Sequence, residues 1–363
     1  MDSRMRVAKT LEHTEPDRVP IDFWAAAEVT GRLLKQYAFS EKEDLLQRFN
    51  VDLRYIDGPV YIGPELLVRP DGAKEDHFGV PRTRVSYGEG DHAGAYSEVA
   101  AFPLEHAASV DEIERYPKWP RAEWFDYEPV REQARHARDL GKCVVFMGDR
   151  LNRCAQLKPA MYLRGVEQIL VDLYVNPDIA RAIFRHITEF YCEYLRRTLE
   201  AGEGNIDLVF TGDDFGTQQN TFMSNEMWRD MLREGFRRFI EIGHAFGCKV
   251  AHHTCGSIAR LIPDFIECGL DILNPLQPDV QGMDYAWLKK EYGRDISFHG
   301  GMSIQKTLPY GNADDIRKEV KDRIARLAAG GGYILCTAHN IQADTPLDNI
   351  KALFDAYTEF GTY

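Results

Sequence analysis

Lys249-Val-Ala-His-His-Thr-Cys-Gly-Ser257 is the stretch on which the fold turns. A short β-rich run from Cys248 to Ala251 ends in His252 and His253. Cys255 follows two residues after His253, and Gly256-Ser257 opens a helical pattern. An imidazole and a thiol at His-x-Cys spacing can converge on one metal ion while the backbone turns from strand to helix. The same residues also suit a strand end with a half-buried histidine and an inert thiol, because free cysteine is among the most buried residue types. The surrounding chain decides between the two.

Outward from this strand, apolar runs and helical patterns alternate. The strand-like runs are Arg18 to Trp24, Val51 to Asp57, Lys142 to Met147, Asp207 to Thr211, Cys248 to Ala251, Asp271 to Asn274, Ile296 to His299 and Tyr333 to Cys336. Helical spacing covers Glu28 to Phe49, Glu128 to Leu140, Ala160 to Ala201 with a break at Asn176-Pro177, Ser224 to Phe246, Ile258 to Cys268, Tyr285 to Tyr292, Ala313 to Ala329 and Leu347 to Phe360. Strands that alternate with helices predict a parallel sheet, and eight of them predict a closed (β/α)8 TIM barrel of the α/β class. The expected organisation is one domain over residues 1–363. An N-terminal β-rich insertion at residues 58–103 contains the short pieces Glu65 to Arg69 and Thr83 to Tyr87. No Gly-x-Gly-x-x-Gly follows the first strand, which argues against an open doubly wound sheet.

The net charge of −13 excludes the basic stripe that a nucleic-acid surface needs. No apolar run is long enough for a membrane span, and the first residues lack a signal-peptide pattern. Seven cysteines scattered through 363 residues do not form a disulfide framework. A reduced, cytoplasmic protein is the expectation.

In a barrel of this kind the active site forms at the C-terminal ends of the strands. Those ends carry Trp24, Asp149 with Arg150, Asp213 with Asp214, His253 with Cys255, Asn274, His299, and Cys336 with His339. Ligand-type residues distant in sequence thus gather at one mouth, which favours the metal reading of His253 and Cys255. Zinc suits a thiolate plus imidazole, and a catalytic zinc needs only three protein ligands. The third would come from His339, with Cys336 as the alternative. Asp213 and Asp214 are candidate acid–base groups, and His299 is a third candidate at the reaction centre. Trp24, Asn274 and Gln218 are candidate substrate contacts, Trp24 by stacking on a ring. Cys143, Cys154, Cys192, Cys248 and Cys268 read as structural thiols. Neither a phosphate-binding loop nor a serine nucleophile elbow is present.

The segments Glu15-Pro-Asp-Arg-Val-Pro-Ile-Asp22, Gly212-Asp-Asp-Phe-Gly-Thr-Gln218, His253-Thr-Cys-Gly256, Asp271-Ile-Leu-Asn-Pro275 and Ala338-His-Asn-Ile-Gln342 with Thr345-Pro346 resemble the uroporphyrinogen decarboxylase superfamily. The resemblance spans nearly the whole chain and implies a (β/α)8 barrel. True decarboxylases of this superfamily carry an Arg-Gln-Ala-Gly-Arg-Tyr type of motif after the first strand, where this chain has Phe23-Trp-Ala-Ala-Ala-Glu28. The chain is more similar to the corrinoid-dependent methyltransferase branch, in which His-x-Cys and a later cysteine hold zinc. His253 and Cys255 match the first two of those ligands, and His339 falls at the position of the third. The resemblance implies a methyltransferase that moves a methyl group from a small methylated donor to a cobalamin cofactor carried on a separate corrinoid protein. O-demethylation of a methoxylated aromatic is the preferred form. A decarboxylase acting on tetrapyrrole carboxylates is the alternative. A homodimer is compatible with either.

Overall fold

The computed structural model describes residues 1–88, 94–149, 152–278 and 280–363. Seven parallel strands form one curled sheet in chain order: β1 (Leu53–Ile56), β2 (Cys143–Phe146), β3 (Leu208–Gly212), β4 (Lys249–His253), β5 (Ile272–Leu276), β6 (Ser297–Met302) and β7 (Tyr333–Thr337). Each is followed by helical structure on the outside, the arrangement expected of a TIM-type α/β barrel.

The expected first strand occupies the eighth position without becoming a regular ladder. Pro20 accepts the Leu335 amide and Asp22 donates to the Leu335 carbonyl, both at 2.8 Å. On the other side Asp52 donates to the Ile21 carbonyl at 2.8 Å. Pro20 has no N–H, and the N–H of Ile21 goes to the Asp52 carboxylate at 2.8 Å, so only isolated bridges form here. The segment still links β7 to β1 and closes the ring.

Several long patterns break into shorter helices. The pattern over Glu28 to Phe49 gives Ala27–Tyr37 and Lys42–Arg48, separated by Ala38 in the left-handed region at φ 53°. The Ser224 to Phe246 pattern gives Asn225–Met231 and Arg233–Ala245, with Ser224 capping the first. Ile258 to Cys268 is helical only over Ile262–Glu267, after a single 3-10 turn. Within residues 58–103, Lys74–Glu75, Pro81–Tyr87 and Gly94–Val99 form a small antiparallel sheet. Glu65 to Arg69 contributes one bridge, from Val68 to Lys74, rather than a strand. No helix among the described residues is long and apolar enough to cross a membrane.

The barrel interior follows the two-residue period of a strand. Leu53, Cys143, Val145, Leu208, Phe210, Ala251, Ile272, Ile334 and Cys336 pack together inside, and Val7 and Leu11 of helix Ser3–Leu11 join them from below. That helix is pinned by its Arg6, which bonds Asp17 and the fully buried Asp52, and Arg18 bonds Asp52 as well. In β4 the same alternation separates the two histidines. His252 turns outward and lies stacked on Phe215 at 5.4 Å, beside Phe236 and Phe265. His253 turns inward, against Trp24.

Candidate active site

His253 is the last residue of β4, and His299 and Asn274 face the interior from β6 and β5. One chain of hydrogen bonds joins them. Tyr55 donates its hydroxyl to Oδ2 of Asp22 at 2.6 Å, and Nε2 of His299 lies 2.9 Å from the same oxygen. Nδ1 of His299 meets the side-chain nitrogen of Asn274 at 2.6 Å, and Oδ1 of Asn274 meets Nδ1 of His253 at 2.7 Å.

These contacts fix the protons. Asp22 accepts from Tyr55 and from the Phe23 amide, so it also needs a donor at His299 Nε2. With Nε2 donating to Asp22, Nδ1 of His299 accepts from the NH2 of Asn274. The amide oxygen is then left for His253, whose Nδ1 must donate. Nε2 of His253 therefore carries a lone pair, the form a metal ligand requires. Burial first, and then the nearby positive charge of Arg153, push His253 well below its ordinary pKa and keep it neutral.

Two further donor atoms converge on that lone pair. Cys255 Sγ lies 3.5 Å from His253 Nε2, and Oδ1 of Asp214 lies 3.8 Å from it. The ligand atoms of Asp214, His253 and Cys255 all fall within 4.8 Å of one another. Burial, with Asp214 nearby, pushes the Cys255 thiol up to about 12. The turn that carries Cys255 is held by backbone packing. Gly256 sits at φ 92°, and a Cβ there would come 2.5 Å from the carbonyl carbon of Gly216.

The paired aspartates do different things. Asp213 is buried and accepts the amides of Gln156, Leu157 and Lys158 at 2.6, 3.0 and 2.7 Å, the first turn of helix Leu157–Arg164. Burial pushes its carboxyl up to about 6, against the three amides that favour the charged form. Asp214 takes the Cys255 amide on Oδ1 at 3.0 Å and the Lys158 ammonium on Oδ2 at 2.7 Å. Burial opposes its charge, but the Lys158 ammonium, by its charge and its hydrogen bond, holds the carboxyl well below the usual range. The pair thus clamps the helix start and the His-x-Cys turn to the end of β3.

The remaining expected site residues fall in three places. Cys255, His339 and Gln218 line an open cleft of about 500 Å³ over the mouth, together with Gln277, Gln305 and Phe222. The His339 ring meets His253 edge-on at 5.6 Å, while its Nδ1 accepts the Asn340 amide at 2.8 Å. Cys336 is fully buried in a separate group with Asp22 and His299, away from the Cys255 set. Trp24 is buried too, its ring wedged between His253 and His299 and its Nε1 donating to Tyr55 at 2.7 Å. Asn274 is completely buried, with both ends of its amide engaged as described. Arg150 lies outside the described residues.

Four residues of this centre carried no signal that singled them out in sequence. Asp22 and Tyr55 sit on the first two strands at inward positions that period-two alternation marks only once the strands are placed. Lys158 and Arg153 belong to the connection after β2, where spacing says little about which side chains return to the mouth.

Known proteins show the same frame. A 173-residue stretch is 28% identical to the methylcobamide:CoM methyltransferase MtaA of Methanosarcina barkeri, covering 48% of this chain and 47% of that protein. The counterpart from M. barkeri strain Fusaro / DSM 804 matches at 26% over 170 residues, 46% of this chain and 45% of that protein. The chain thus matches about half the length of these curated relatives. A methyltransferase from Methanosarcina mazei shares the fold over 99% of both chains, with a TM-score of 0.66 at 19% identity. A family profile, uroporphyrinogen decarboxylase (URO-D), matches residues 104–360. That match takes in strands β2 to β7, the His-x-Cys turn and both aspartates, and the chain belongs to the URO-D family.

Proposed function

We propose that the protein is a corrinoid-dependent methyltransferase, moving a methyl group from a small methylated donor to a corrinoid cobalt carried on a separate protein. The observation that carries this reading is the neutral His253 whose free Nε2 faces Cys255 at 3.5 Å on the floor of an open cleft. The likeness of about half the chain to methylcobamide:CoM methyltransferases supports it. A methoxylated aromatic is the preferred donor class, because the cleft is flanked by Phe222 and by uncharged amides.

The donor set fits a zinc ion. His253 and Cys255 would hold it, with His339 as the third ligand. Asp214, whose carboxylate already lies within reach of both, is the second candidate. Such an ion, when bound, supplies Lewis-acid polarisation of the oxygen that loses its methyl group. The chain's own residues do the rest. Asn274 and Asp22 hold His253 in one tautomer, Trp24 backs its ring, and Lys158 with Asp214 keeps the Cys255 turn in place.

The decarboxylase reading lacks support at the cleft. A tetrapyrrole with many carboxylates needs several cationic partners, and none of the described lining residues of the cleft is Arg or Lys. The test is spectroscopic. Zinc-loaded protein mixed with a cobalt(I) corrinoid and a methoxyarene should produce a methyl-cobalt absorbance. No spectral change over a panel of methyl donors, with turnover of uroporphyrinogen instead, would overturn the proposal.

A further inference from the structure

Arg153 stands beside this centre with no counter-ion among the described residues. Its side chain lies over the end of β3. A Cβ placed on Gly212 would meet Arg153 Cδ at 2.7 Å, Nη1 at 3.3 Å and His253 Cβ at 3.2 Å. The acidic and polar groups that feel its charge are Tyr55, Asp214, Asp149 and Cys255. None of them makes an ion pair or a hydrogen bond with its guanidinium. Asp214 is given over to Lys158 and the Cys255 amide, and Tyr55 donates to Asp22. Nε of Arg153 is buried with no acceptor among the described residues.

A guanidinium carries five N–H donors in a planar fork and stays charged, so leaving it half-buried and unpaired is costly. The same cost falls on the neighbouring histidine, which its charge drives toward the neutral form. A free cation kept at a reaction centre in this way is the usual complement of an anion that arrives with the substrate. The cleft that Cys255 lines offers amides and hydroxyls, with no arginine or lysine among its described lining residues.

We propose that Arg153 is the anion subsite of this centre, gripping the carboxylate or sulfonate of a small substrate whose reacting end lies at His253 and Cys255. The identity of the reacting end rests on the methyl-transfer reading, whereas the anion subsite rests on Arg153 alone. Carboxylate and sulfonate share the planar or tripodal oxygen face that a guanidinium fork recognises.

Equilibrium binding to the zinc-loaded protein separates the possibilities without any turnover. The probes are 4-methoxybenzoate, its neutral methyl ester and ethanesulfonate. Each is measured on the wild type and on Arg153→Gln and Arg153→Lys. The charged benzoate should bind at least about tenfold more tightly than the ester. Arg153→Gln should erase that preference while leaving ester affinity, metal content and melting temperature unchanged, and Arg153→Lys should retain part of it. A stronger response to ethanesulfonate than to benzoate assigns the subsite to sulfonates. An anion preference that survives in Arg153→Gln, or no binding of either anion at millimolar concentration, overturns the proposal. If the preference is found but no methyl reaches cobalt, the subsite stands and the methyl-transfer reading falls.

Discussion

Nδ1 of His253 donates to the side-chain oxygen of Asn274 at 2.7 Å, and this one contact decides which face of the imidazole is free. The other end of the same amide bonds His299, which in turn bonds Asp22, so the orientation of Asn274 is set from behind by a carboxylate. Replacing Asn274 by alanine leaves both imidazoles unsatisfied. Zinc affinity, measured by competition with a chromogenic chelator, should fall by about 10- to 100-fold. An unchanged affinity would mean that His253 is oriented by something other than Asn274.

Asp52 ties the closing segment to the barrel. Its carboxylate is completely buried and accepts from Arg6, Arg18 and the Ile21 amide. Truncation to alanine takes the one buried carboxylate that Arg6 and Arg18 share, leaving Arg6 with Asp17 and Arg18 with backbone carbonyls, and loosens the segment that links β7 to β1. Urea unfolding of Asp52→Ala should show a loss of about 3–5 kcal/mol. A loss below about 1 kcal/mol, the size expected of an exposed pair, would show that the segment is held by its backbone bonds alone.

The turn at Gly256 should tolerate no side chain. At φ 92° an alanine is strained, and its Cβ would also press on the Gly216 and Thr217 backbone. Gly256→Ala should cost about 2–4 kcal/mol in chemical denaturation. A change below about 0.5 kcal/mol, in the range of an ordinary surface substitution, would show that the two loops can part.

His77 gives the fold a pH dependence away from the site. Its ring is enclosed by Phe78, Phe125 and Phe190, its Nε2 has no partner among the described residues, and burial pushes it down to about 4 from an ordinary 6.5. Between those values the unfolded chain binds a proton that the folded chain refuses, so stability is lost as pH falls through the window. The loss reaches about 2 kcal/mol at pH 5. In His77→Phe the difference in stability between pH 7 and pH 5 should shrink by about that amount. An identical pH response in the two proteins would assign the acid sensitivity to other groups.

The alternation of strand and helix was legible because parallel strands buried on both faces read as short continuous apolar runs. Arg18 to Trp24 was harder to assign. Its place in the ring follows from apolar residues, but Pro20 and the Asp52 carboxylate remove the donors that a ladder would use. Helix breaks at Ala38 and Leu232 lie within unbroken apolar periodicity, since local backbone turns leave the spacing of buried residues intact. At the barrel mouth, the His-x-Cys spacing together with the strand ends around it singled out His253 and Cys255, and their side chains do meet, at 3.5 Å. The division of labour between Asp213 and Asp214 was not legible, because it depends on a helix start more than fifty residues upstream, at Gln156 to Lys158. Arg153 escaped for the same reason: what marks it is a missing partner, which only the folded arrangement reveals.

The proposed function requires that His253 and Cys255 hold a metal at the barrel mouth. Elemental analysis of the purified protein tests it most directly. About one zinc per chain is expected, as in a three-ligand catalytic site, lost in His253→Ala and in Cys255→Ala but kept in Cys336→Ala. Folded protein that carries no metal after incubation with zinc, or a His253→Ala variant that holds as much as the wild type, would contradict it.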